Sequence, residues 1–128
     1  MKRVLVALSL GLMFLAGCSS TPSGDSAKSV TLDYPAAAVQ KAAIEALTTN
    51  GCDIQKSDAG YVEGFRSHKA GLMVGSGGET IGVWIVPAGD NKTTAKVETS
   101  KSLLGIAGQK DWDDEVIAAM RDSLAKQH

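Results

Sequence analysis

The spacing of apolar positions changes five times along the chain. Val4 to Ala16, VLVALSLGLMFLA, is one unbroken apolar run behind Lys2 and Arg3. From Ser19 to Lys28, SSTPSGDSAK, no large apolar residue occurs. SVTLDY (29–34) then alternates Val30 and Leu32 with polar neighbours, the pattern of a half-buried strand. Between Pro35 and Asn50 the spacing turns helical: Val39, Ala43 and Leu47, flanked by Ala42, Ile44 and Ala46, form one stripe. Pro35 suits the first helical position, and Asn50-Gly51 suits a stop. Alternation returns in four runs: 52–57, 61–67, 79–86 and 93–101. In ETIGVWIV (79–86), Ile81, Val83 and Ile85 share one face, with Trp84 and Val86 opposite. DAG (58–60) and PAGDNK (87–92) are turn clusters. A second helix is predicted from an Asp111 N-cap, with Asp113, Asp114 and Glu115 in its acidic first turn and Trp112, Val116, Ala119, Met120 and either Ser123 or Leu124 inward.

The order β-α-β-β-β-β-α predicts an α+β domain: an antiparallel sheet of four to five strands with both helices on one face. Alternating strand directions send the segments after the 61–67 and 93–101 strands out at the same end of the sheet. The first strand should begin at that end too.

The first segment reads as an address. An apolar stretch of 13 residues is too short to span a bilayer, which takes roughly 20, but it suits the core of a secretory signal peptide. Leu15-Ala16-Gly17-Cys18 follows at once. It resembles the lipobox of bacterial lipoproteins, which implies a diacylglycerol thioether on Cys18, cleavage before it and acylation of the new amino terminus. The resemblance makes 1–17 a signal peptide and Cys18 the lipidated residue; the composition up to Lys28 predicts a flexible tether (18–28 with the cysteine), and 29–128 is expected to form a single domain. The resemblance also makes the membrane the first partner. By resemblance to enterobacterial sorting, an aspartate after the cysteine would favour retention at the inner membrane, whereas Ser19 implies the outer membrane, with the domain facing the periplasm and inner-membrane retention as the alternative.

Removing residues 1–17, with Lys2 and Arg3, leaves 111 residues and moves the formal net charge from −1 to −3. That length suits one core. The mild negative charge lacks the basic footprint of a nucleic-acid binder. With Cys18 acylated, Cys52 has no internal disulfide partner. It is either a small buried hydrophobe or a free thiol open to intermolecular pairing. Over Cys52 to Leu124, GCDIQKSDAGYVEG (51–64) and SKSLLGIAGQKDW (100–112) resemble a group of small proteobacterial envelope lipoproteins. That likeness implies an envelope location and no particular reaction. The layout is also similar to small domains in lipoproteins of the outer-membrane protein assembly machinery, a likeness of architecture alone.

Candidate chemistry is sparse. His68 with Ser67 or Ser76 lacks the GxSxG context of a hydrolase elbow. Asp111, Asp113, Asp114 and Glu115 could attract a cation, but a solvated helical turn explains them as well. GLMVGSGGE (71–79) ends in Glu79 and a strand, where a phosphate loop needs lysine and a helix. No metal and no cofactor are therefore expected. What stands out is apolar material between elements: Leu72, Met73 and Val74, and Leu103, Leu104 and Ile106. Such residues either form an interaction surface or fold back onto the core. The expected function is a non-enzymatic, lipid-anchored interaction module that binds an envelope protein or lipid through these loops. The alternatives are a carrier of a small apolar ligand and, behind it, an envelope hydrolase.

Overall fold

A computed structural model describes residues 21–67, 78–101 and 110–127. The chain runs β1 (Lys28–Leu32), α1 (Ala36–Thr49), β2 (Asp53–Asp58), β3 (Tyr61–Ser67), β4 (Gly78–Gly89), β5 (Lys92–Lys101) and α2 (Asp113–Lys126). The five strands form one antiparallel sheet in the order β1-β5-β4-β3-β2. Both helices lie on one face, giving the α+β architecture that the periodicities predict.

Alternation sorts the sheet residues between core and outer face. Val62, Ile81, Val83, Ile85, Ala95 and Val97 point inward and are buried. Val39, Ala42, Ala43, Ala46 and Leu47 on α1 and Val116, Met120 and Leu124 on α2 meet them. Small alanines along α1 allow a close approach to the sheet. Gly51, at φ +83, ends this helix in a left-handed conformation, which glycine adopts without steric cost.

Several boundaries differ from the sequence reading. Pro35 is the N-cap of α1, its backbone extended at ψ 154, and the helix starts one residue later. The cluster 87–92 is mostly strand: β4 continues to Gly89, with a register shift between Pro87 and Gly89, and only Asp90 and Asn91 turn. A register shift is where a strand tolerates proline. Trp112, not Asp111, is the N-cap of α2. Asp111 accepts the Asp113 amide at 2.9 Å, so it supports the helix start from one position further out.

The expected flexible tether is corrected more substantially. Pro22 is buried, and residues 22–27 form a strap across the outer face of the sheet. The Ser23 and Ser26 amides donate to the two Glu98 carboxylate oxygens, each at 3.2 Å. Composition gave this stretch no apolar anchor. Its partner is a carboxylate on another strand, which binds backbone rather than side chains.

Candidate functional site

The strand directions bring the segments 68–77 and 102–109 out at one end of the sheet, here called the upper end. Ser67 pairs with Gly78, and Glu79 pairs with Lys101. Lys28 pairs with Val97, so β1 descends from the same side. The chain before it does not stay at that end, however: the strap turns onto the outer face, with Pro22 beside Gly82. Leu72, Met73, Val74, Leu103, Leu104 and Ile106 lie outside the described residues, as do Cys18, His68 and Ser76.

Beneath the upper end is a polar cap over the core. Arg66 on β3 faces Glu79 on β4 in register. Glu79 has the parity of Ile81 and Val83, so its carboxylate points inward and is fully buried. Oε1 accepts the Lys110 amide at 3.2 Å. Oε2 lies 4.0 Å from Arg66 Nη1 and has no hydrogen bond among the described residues.

Arg66 does more than pair with this carboxylate. Its Nε donates to the Asn50 carbonyl at 3.1 Å, tying β3 to the end of α1. Its Cζ lies 4.3 Å from the centroid of the Trp112 ring, and Lys110 Nζ lies 4.4 Å from the same ring. Two cations on one indole are a cation–π arrangement. The buried Trp112 Nε1 has no hydrogen-bond partner among the described residues.

The acidic cluster is divided among separate partners. Asp113 is buried and accepts from Thr99 Oγ1 at 2.6 Å, while Thr99 Oγ1 accepts the Trp112 amide at 2.9 Å. Burial pushes the Asp113 carboxyl above the usual range. Asp114 pairs with Lys28 at 3.0 Å, and Glu115 with Lys110 at 2.6 Å. The hydrogen bond from Lys110 holds Glu115 below its ordinary value. The first turn is therefore only partly solvated. Among the described residues, no three His, Cys, Asp or Glu side chains come together as a metal site.

Cys52 lies just before β2, is 5 % exposed and is not in a disulfide. Burial raises its thiol from 9.0 to about 11, so it is neutral at physiological pH and a poor nucleophile. The cap thus combines a closed carboxylate, a stacked guanidinium and a protonated thiol. That chemistry ties together the ends of β3, β4 and α2.

Arg66, Glu79 and Trp112 were not singled out as a group by the sequence reading. The signal was present in parity: a charge two residues before Ile81 in an alternating strand must point into the core. The chain matches no protein-family model and no curated protein.

Proposed function

We propose that this protein is a lipid-anchored interaction module of the bacterial envelope, non-enzymatic, which binds a protein or lipid partner through the segments at its upper end. The anchor is acylated Cys18, and the location is the periplasmic side of the outer membrane. The observation that supports this reading most is the shared exit of segments 68–77 and 102–109 above a cap of Arg66, Glu79 and Trp112. A rigid floor under two adjacent segments suits a binding surface. The space between sheet and helices, which an apolar carrier would use, is occupied by Val39, Leu47, Ile81, Val83, Met120 and Leu124, all fully buried.

Photo-crosslinking in cells tests the proposal. A crosslinker at Leu72 or Leu104 should give discrete adducts, and one at Lys41, exposed on α1, should not. Adducts from Lys41 alone would overturn it. In the same cells Cys18→Ala should leave an unacylated, uncleaved precursor. Normal maturation of that variant would remove the anchor from the reading.

A further inference from the structure

The strap decides which side of the domain an acylated Cys18 can bring to a membrane. Pro22 is buried beside Gly82, where a side chain added at Gly82 would come within 3.0 Å of Pro22 Cβ and 2.8 Å of the Tyr61 hydroxyl. Gly24, at φ +87, lets the strap turn with its Cα side against the Trp84 ring, which an added Cβ would meet at 3.6 Å. Glu98 accepts the Ser23 and Ser26 amides. Tyr61, Trp84, Gly82 and Glu98 all belong to the outer face, on the side of the sheet away from the helices.

Only residues 19–21 then separate Cys18 from Pro22. Four Cα steps reach at most about 14 Å. A domain of this size is roughly 30 Å across. So short a link cannot carry the lipid around the edge of the sheet to the helical side.

We infer that the outer face of the sheet is the surface this protein lays against the lipid headgroups, with the helical layer turned away from the bilayer. The inference rests on the acylation of Cys18 proposed above. The chemistry of the face suits that neighbour. Tyr61 and Trp84 pack with ring centroids 5.1 Å apart and are only partly buried. Aromatic rings with a polar tip collect at membrane–water interfaces. Val86, one strand step beyond Trp84 on the same face, is 47 % exposed and the largest exposed hydrophobic among the described residues. Lys96, paired with Trp84 across the strands, is exposed and can meet phosphate groups. This arrangement also leaves the upper end at the side of the domain, open to a partner.

The test uses the full chain, produced in a host that acylates lipoproteins and reconstituted in phosphatidylethanolamine–phosphatidylglycerol vesicles. Its intact mass is measured first. Spin labels are placed at Lys96→Cys on the outer face and at Lys41→Cys on α1, both in a Cys52→Ala background. Accessibility to a water-soluble nickel chelate should be about threefold lower at 96 than at 41, as for a surface held at the headgroups. A second measurement needs no label and keeps Cys52. Trp112→Phe leaves Trp84 as the sole tryptophan, and Trp84→Phe leaves Trp112. Lipids with brominated acyl chains should quench Trp84 clearly more than Trp112. An acylated protein with equal accessibility and equal quenching, or with position 41 the more shielded, overturns the face assignment alone. A mass without acyl groups overturns the anchor and, with it, this inference.

Discussion

Cys52 is held between the end of α1 and β3. Its amide donates to the Leu47 carbonyl at 3.0 Å, and a Cβ added at Gly64 would lie 2.9 Å from its own Cβ. Only glycine on β3 leaves room for the thiol. Burial raises the thiol to about 11 from 9.0. The sign of the linked effect follows. The unfolded chain loses this proton near pH 9 and the folded chain near 11, so the contribution is complete below pH 9 and is lost as pH rises to 11. A shift of that size corresponds to about 3 kcal/mol in full, of which the larger part falls between pH 8.5 and 10.5. We therefore expect the stability difference between wild type and Cys52→Ala to shrink by about 2 kcal/mol between pH 8.5 and 10.5, measured by urea denaturation. Tyr61, whose hydroxyl is also pushed up by burial and by its bond to Glu63, titrates in both proteins and cancels. A constant difference would mean that the thiol is well solvated in the fold.

Among the elements, the β3–β4 ladder carries the costliest polar arrangement. Glu79 is fully buried, and Arg66 Nη1 stands 4.0 Å from its Oε2. Removing one partner of a buried pair typically costs about 3–5 kcal/mol, whereas replacing both with apolar groups is often close to neutral. Arg66→Ala should therefore destabilise the domain by about 3 kcal/mol. The double variant Arg66→Ala/Glu79→Leu should recover about half of that loss, the remainder reflecting the bond to Asn50 and the stacking on Trp112. Denaturant midpoints of the two variants decide the matter. A double variant no more stable than Arg66→Ala would mean that Arg66 acts through the helix end and the indole alone. The inward charge is legible from the alternation around Ile81, but its partners are not. They come from β3 and from the residues before α2, with Arg66 held in turn by the end of α1, and only the folded sheet brings those three together.

At the scale of the whole molecule, chain direction was the most legible property. Short turns after β2 and β4 force antiparallel neighbours, and five alternating runs fix which ends coincide. The strap was illegible for the opposite reason. SSTPSGDSAK has no side chain large enough to announce burial, and it is held by two backbone amides on Glu98 and by a proline seated on a glycine. The six apolar loop residues pose the remaining question, whether Leu72, Met73 and Leu104 serve the core or a partner. The core is already closed by fully buried side chains from both helices and three strands. Losing a fully buried leucine costs about 2–5 kcal/mol, and three such losses would exhaust a total stability of about 5–15 kcal/mol. For exposed side chains the cost is small, and 1 kcal/mol lowers the melting temperature of a domain this size by about 4–8 °C. We expect Leu72→Ser/Met73→Ser/Leu104→Ser, in the unlipidated chain from residue 19, to melt within about 5 °C of the parent. In the lipidated chain the same triple change should abolish the adducts formed by a photo-crosslinker placed at Val74 or Ile106. Loss of the melting transition would instead place these side chains in the core, and the surface proposed for the partner would have to be sought elsewhere on the molecule.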